Sequence, residues 1–198
     1  MLAKRAPNRT TLARSLRTRV KTVLSANMPQ PFDEAFLADL PYDPEVLLFD
    51  EIIEIDEADN RVVCRMPTDR PLPFTMSQRV HPIRHPRHVA GGTLVHASGM
   101  LGFVHAYYLH GLRHADGWIG YGTHIHHVVF RKLVAPGEPI VASCKEIRGR
   151  RGTTRQFIKY VFEFRHEGEL CYQGEQSALW MKVTEGDEPN VQEMDAEA

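Results

Sequence analysis

The sequence predicts an α+β fold in which one strongly curved antiparallel sheet of six strands wraps around one long central helix. The first observation behind this prediction is the stretch 88–112, which contains no proline and no Asp, Glu, Lys or Arg. Its apolar residues fall all round the helical wheel, a pattern typical of a helix buried on every side. The second observation is the order of the other segments, because two strand-like segments precede this helix and four follow it.

The chain before the long helix is predicted to begin with a short helix over 33–40, between two prolines, with Asp33 as its N-cap. An apolar and β-branched run predicts a strand over Val46–Asp56. Arg61–Met66 predicts its hairpin partner, since the four residues between the two strands have turn chemistry. Residues 67–88 then form a long loop rich in proline and histidine, and we expect it to cover a pocket at the helix start.

Two glycines inside the predicted helix, Gly99 and Gly102, indicate a place where a strand or a second helix crosses closely. After the helix, each segment has strand character and ends in turn residues. The predicted strands are Trp118–Arg131, Pro139–Ile147, Arg155–Arg165 and Leu170–Val183, with turns at 135–138, 148–152 and 166–168. This succession of strands and short turns predicts a single antiparallel sheet.

Composition and charge predict how the chain is organised. Of 198 residues, 42% are hydrophobic and 25% charged, as in one soluble domain with a substantial core. We expect a basic N-terminal arm at 1–32, one folded domain at 33–183 and an acidic disordered tail at 184–198. Apolar residues at helical spacing over 10–26 predict an amphipathic helix. This helix could be a plain surface helix, a docking segment for an acidic carrier protein or membrane surface, or a targeting peptide.

Several functional classes are disfavoured by the sequence. No stretch has the length and flanks of a transmembrane segment. The basic residues of the arm lack interleaved aromatic residues, so we expect no nucleic-acid partner. Three cysteines without metal-ligand spacing indicate reduced thiols and a cytoplasmic protein. The histidines of the long loop follow a pattern too weak to predict a metal ion, so we expect none.

Three stretches together resemble the hotdog fold of acyl-CoA thioesterases and hydroxyacyl-carrier-protein dehydratases. They are LLFDEIIEID at 47–56, HVAGGTLVHASGMLGF at 88–103 and VVFRKLVAPGEPI at 128–140. Within this fold the chain most resembles the FcoT-like long-chain acyl-CoA thioesterases, with which it shares the Leu-Pro-Tyr entry at Tyr42 and the spacing from His88 to the FRK segment. The resemblance implies a homodimer, or a higher homo-oligomer, that pairs along the strand after the helix.

The resemblance also implies thioester hydrolysis without a metal ion. The N–H groups of Gly91 and Gly92, at the positive start of the helix, are donors for a thioester carbonyl. His96, His88 or Tyr42 would position the attacking water. The alternative for His96 is a hydrogen-bonded core histidine. The alternative for His88 is a loop residue that caps the helix, and for Tyr42 a half-buried aromatic residue.

The leading prediction is a thioesterase that acts on acyl-CoA or acyl-carrier-protein thioesters. No Asp or Glu occurs from Arg70 through Ala115, which excludes a carboxylate base from that stretch of loop and helix unless one enters from elsewhere in the chain or from a partner subunit. The alternatives are a dehydratase-like enzyme of fatty acid or polyketide metabolism and a non-catalytic acyl-thioester binding protein. Four arginines are predicted either to bind the phosphates of coenzyme A or phosphopantetheine, or to form a solvated hairpin tip: Arg148, Arg150, Arg151 and Arg155.

Overall fold

The computed structural model describes residues 29–183. Most of the predicted basic arm, with its helix over 10–26, and the predicted acidic tail lie outside the described residues. Between them the chain forms seven strands, two α-helices and two 3₁₀ turns, at Pro44–Val46 and His114–Asp116. In chain order the other elements are β1 (Gln30–Pro31), α1 (Glu34–Asp39), β2 (Glu51–Asp56), β3 (Arg61–Met66), α2 (Gly91–His110), β4 (Trp118–Phe130), β5 (Ile140–Arg151), β6 (Arg155–His166) and β7 (Glu169–Lys182).

All seven strands belong to one antiparallel sheet, with the order β1-β2-β3-β5-β6-β7-β4. Helix α2 packs against this sheet and is buried along most of its length, with Ala97, Leu101 and Val104 fully buried. Strand β4, the first after the helix, lies at one edge and pairs only with β7 within the described chain. No helix in the described part is long and apolar enough to cross a membrane.

The α+β architecture with one long helix is as predicted, but the strand count is seven and not six. The additional strand, β1, consists of two residues that pair with β2, so the sheet begins before the predicted domain start at residue 33. A second helix, α1, is short and lies where the short helix is predicted.

Two predicted boundaries are wrong. The strand predicted from Val46 begins only at Glu51, because Leu47, Leu48 and Phe49 are buried in irregular backbone, with Leu48 at a φ of 65°. The turn predicted at 148–152 is mostly strand, since β5 continues to Arg151 and stays paired with β6. The chain turns instead at residues 152–154.

Asp33 joins α1 to α2. One carboxylate oxygen, Oδ1, accepts the backbone N–H of Phe36 at 2.8 Å, which is the predicted N-cap. The other oxygen, Oδ2, accepts the hydroxyl of Tyr108 on α2 at 2.7 Å. Between these two bonds the buried ring of Phe36 packs edge-on against Tyr107, with centroids 5.0 Å apart. The first helix is therefore positioned over the end of α2 by one carboxylate and one ring.

Asp33→Ala is expected to lower the free energy of unfolding by about 1–2 kcal/mol, because it removes both an N-cap and a link between helices. The measurement is urea unfolding followed by circular dichroism. Asp43→Ala is the control, since Asp43 precedes a 3₁₀ turn and makes no side-chain capping bond. Its effect should stay under about 0.5 kcal/mol, and equal losses in the two variants would contradict the linking role of Asp33.

Candidate functional site

A cavity of about 180 Å³ lies between the middle of α2 and strands β4, β6 and β7, and we call it the Gly99 cavity. Gly99 is exposed although its neighbours Ser98 and Met100 are buried. A Cβ atom built on Gly99 would meet nothing within 4 Å. The prediction that another element crosses closely here is therefore wrong for Gly99. The glycine instead leaves bare helix backbone at the wall of an open space.

One wall of the Gly99 cavity carries a hydrogen-bonded polar group. Gln176 on β7 donates from Nε2 to the hydroxyl of the buried Ser98 at 2.5 Å. Ser98 in turn donates to the carbonyl of Val95 at 2.7 Å, and the hydroxyl of Tyr172 lies 3.3 Å away. Burial raises the pKa of Tyr172, so its hydroxyl keeps its proton at neutral pH. These bonds fix the polar side chains between helix and sheet.

Two further buried polar groups belong to this wall of the cavity. The hydroxyl of Tyr160 and the indole Nε1 of Trp180 are both buried, and the Trp180 N–H lies beside the Tyr160 oxygen. Neither atom makes a hydrogen bond of standard geometry, so the Tyr160 proton has no acceptor among the described residues. Both residues line the cavity. Burial raises the pKa of Tyr160 far above its usual range, so its hydroxyl stays a donor. Since buried donors in native proteins are nearly always paired, the unpaired hydroxyl proton of Tyr160 indicates a place for a ligand acceptor.

A second cavity of about 200 Å³ adjoins the first, and we call it the Leu112 cavity. The two cavities share a wall of three rings: Tyr42 lies edge-on to Phe103 with centroids 5.8 Å apart, and Phe103 lies edge-on to Trp180 at 5.3 Å. The Leu112 cavity is largely apolar. Its carboxylate, Asp39, already accepts the backbone N–H groups of residues 114 and 115, each at 2.8 Å.

The predicted donors lie at the start of α2, as expected. Gly91 and Gly92 are its first two residues, and no acceptor in the described chain takes their N–H groups. Two exposed rings flank them, since a Cβ atom on Gly91 would lie 3.0 Å from Phe130 and one on Gly92 would lie 3.7 Å from Phe74. His88 is nearby in the chain, and its Nδ1 lies 2.9 Å from a loop carbonyl.

The predicted catalytic residues are divided among three places. Tyr42 lines both cavities, whereas His88, Gly91 and Gly92 belong to the helix start and line neither. His96 also lines neither cavity. Its Nε2 lies 2.8 Å from the carbonyl of Val46. At 100° per residue His96 is about 200° around the helix from Ser98, on the opposite face. The catalytic role of His96 stays a prediction, and its contact is that of a hydrogen-bonded core histidine.

The four predicted phosphate-binding arginines lie away from both cavities. Arg148, Arg150 and Arg151 are exposed near the end of β5, and Arg155 begins β6. Arg151 pairs with Glu146, its Nη2 lying 2.7 and 2.8 Å from the two carboxylate oxygens. Binding of coenzyme A by these residues stays a prediction.

Sequence reasoning missed the residues that form the polar wall. Ser98 and Gln176 are 78 residues apart in the sequence. Tyr160 has the sequence pattern of an ordinary inward-facing strand residue. A signal was present at Gly99, because a glycine at the middle of an apolar helix reduces its stability unless the missing side chain serves a purpose.

Comparison with known proteins supports the fold. No protein-family model matches the chain, and no curated protein has a similar sequence. Among solved structures, a mutant of the thioesterase PA1618 from Pseudomonas aeruginosa is similar, with 16% identity, a TM-score of 0.53 and coverage of 80% of this chain and 100% of that one. The thioesterase HI1161 from Haemophilus influenzae has 18% identity and a TM-score of 0.47, over 69% of this chain and 82% of that one.

Likeness at such low identity shows the fold alone. The chain has the hotdog-like architecture of the PA1618 structure, an antiparallel sheet with a helix packed against it. The finer resemblance to FcoT-like thioesterases or to dehydratases is not addressed by these neighbours and stays a prediction.

Gly99→Ala is expected to raise the free energy of unfolding by about 0.5–1 kcal/mol, because alanine favours the helix and its methyl group meets no neighbour. Thermal or urea unfolding measures this. Gly111→Ala is the matched control. Gly111 caps α2 at a φ of 62°, so its alanine variant should lose about 1 kcal/mol although its Cβ also meets nothing. If Gly99→Ala instead lowered the free energy of unfolding, the space beside Gly99 would be too small for a methyl group, which would contradict the open cavity.

Proposed function

We propose that this protein hydrolyses acyl thioesters of coenzyme A or of an acyl carrier protein, without a metal ion, and binds the acyl chain in the two adjoining cavities. The observation that carries the proposal is the buried hydroxyl of Tyr160 at the Gly99 cavity, whose proton has no acceptor among the described residues. A thioester carbonyl is an acceptor that matches it. The thioesterase-like fold is consistent with this function.

Hydrolysis needs a polarised carbonyl and a positioned water. In the proposal the Tyr160 hydroxyl donates to the thioester oxygen, and charge that develops there is stabilised by donors already in place. Water adds to the carbonyl carbon, the C–S bond breaks, and the thiol leaves with a proton. The amide of Gln176, held by Ser98, is placed to orient that water at the cavity wall. The acyl chain continues past Phe103 toward the Leu112 cavity.

A homodimer would bring the predicted helix-start donors to the same cavity. The outer edge of β4 is long and unpaired within the described chain, and Ile125 on it is 58% exposed. Such an edge is a pairing surface. A two-fold axis through the middle of β4 places the Phe130 end of one copy beside the Trp118 end of the other. Since Phe130 packs at Gly91, and Gly120 lines both cavities, each helix start would approach the partner's cavity.

A second candidate is a non-catalytic acyl-thioester binding protein. One observation favours it: among the described residues that line the Gly99 cavity, none is Asp, Glu, His, Lys or Arg. A dehydratase-like reaction is less favoured, because it needs a general base near the substrate and the same lining offers none.

Tyr160→Phe tests the carbonyl donor. The change removes a hydroxyl that makes no hydrogen bond of standard geometry and has the Trp180 N–H beside it, so the free energy of unfolding should change by less than about 1 kcal/mol. The rate of thiol release from acyl-CoA should fall about a hundredfold, as when one oxyanion donor is removed. Thiol release is followed with a chromogenic disulfide over short, medium and long acyl chains, with chelator present. An unchanged rate would exclude the hydroxyl as donor.

Gly99→Leu tests the cavity as the acyl site. A leucine side chain would occupy the open space, so kcat/KM for the preferred chain length should fall about tenfold or more. Gly99→Ala should lower it much less, and Glu57→Ala, in the exposed turn between β2 and β3, should leave it unchanged. Native protein that binds acyl-CoA with full affinity but releases no thiol would favour the binding-protein candidate.

A further inference from the structure

Three potential metal ligands meet at the carboxyl-terminal end of α2. His105 and His110 on the helix and Glu146 on β5 each offer one ligand atom, and these atoms lie within 4.8 Å of one another. His105 is fully buried, and the side chains of His110 and Glu146 are 10% and 8% exposed. We propose that this cluster binds a divalent transition-metal ion, and that Zn²⁺ matches its two imidazoles and one carboxylate.

The hydrogen bonding of His105 is that of a metal ligand. Its Nε2 lies 2.8 Å from the carbonyl of Asn60, so Nε2 carries the proton and donates it. The lone pair is then on Nδ1, which is buried and has no partner among the described residues. Metal-binding imidazoles are commonly oriented by such a bond from the other ring nitrogen to a carbonyl.

The other two ligands are held in the same place. The carbonyl of Asn60 also accepts the backbone N–H of Glu146 at 3.0 Å, so one carbonyl positions two of the three ligand residues. Nε2 of His110 lies 2.7 Å from Oε2 of Glu146. The three ligand residues are therefore already brought together by the fold.

Arg151 supplies the positive charge at the cluster in this structure. Its Nη2 lies 2.7 Å from Oε2 of Glu146 and 3.3 Å from Nε2 of His110. The Arg151 side chain is 41% exposed and lies at the end of β5, so it can turn outward into water. A bound metal ion would replace the guanidinium and provide the charge that the buried carboxylate needs. Metal and arginine thus compete for one position.

This site is separate from the proposed thioester reaction. None of its three ligands lines the Gly99 cavity or the Leu112 cavity. A metal ion here would join the end of α2 to β5.

The test is competition of the purified full chain with a chromogenic chelator for Zn²⁺ at pH 7.5, with Co²⁺ absorption as a second readout. Native protein should bind one ion per chain. Arg151→Met should bind about tenfold more tightly, because the competing cation is gone, and His110→Ala should bind about tenfold or more weakly. Both substitutions lie at element ends, so the protein is expected to stay folded.

Zn²⁺ could also bind to the histidines of the long loop, because the rings of His85 and His88 lie 5.1 Å apart. His85→Ala is the control for binding at that place. Its affinity for Zn²⁺ should equal that of the native chain. The proposal is overturned if neither native protein nor Arg151→Met binds Zn²⁺, if His110→Ala binds as well as native, or if His85→Ala abolishes binding.

Discussion

Helix α2 has apolar residues on every side, so it is stable in water only where the sheet and the neighbouring segments cover it. Few polar groups lie within this contact, and most of them bond across it: Ser98 with Gln176, and His105 with the carbonyl of Asn60. Such buried hydrogen bonds add little net stability, but they fix the register of helix against sheet because leaving a partner unpaired is costly. The position of Gly99, and hence the cavity beside it, follows from this packing.

Much of the fold is predictable because its signals are local. The apolar helix, the hairpin turn and the N-cap at Asp33 each depend on residues close together in sequence, and the structure has all three. The errors arise where long-range pairing or packing overrides local preference. The glycines and arginines at 148–152 predict a turn, yet pairing with β6 extends the strand to Arg151. The residues Leu47–Phe49 predict a strand, but they pack into the core in irregular backbone.

The candidate site is less predictable for the same reason. The free N–H groups of Gly91 and Gly92 follow from their place at a helix start, which sequence reveals. The polar wall depends on β6 and β7, whose residues meet α2 only after the sheet has formed. Tyr160 and Gln176 are opposite one another in the register of those strands, and nothing in the local sequence marks them as partners of Ser98. Similarly, the cluster at His105 joins residues from α2 and β5.

The three rings that separate the two cavities have a consequence for selectivity. Tyr42, Phe103 and Trp180 meet edge to face, and Phe103 is only partly buried. A side chain leaves its preferred rotamer at a cost of about 0.5–1.5 kcal/mol, far less than moving a strand. A ligand too long for one cavity would therefore meet a partition that opens by rotation of a ring. For the acyl chains of the proposed function, length discrimination at such a partition would be graded rather than abrupt.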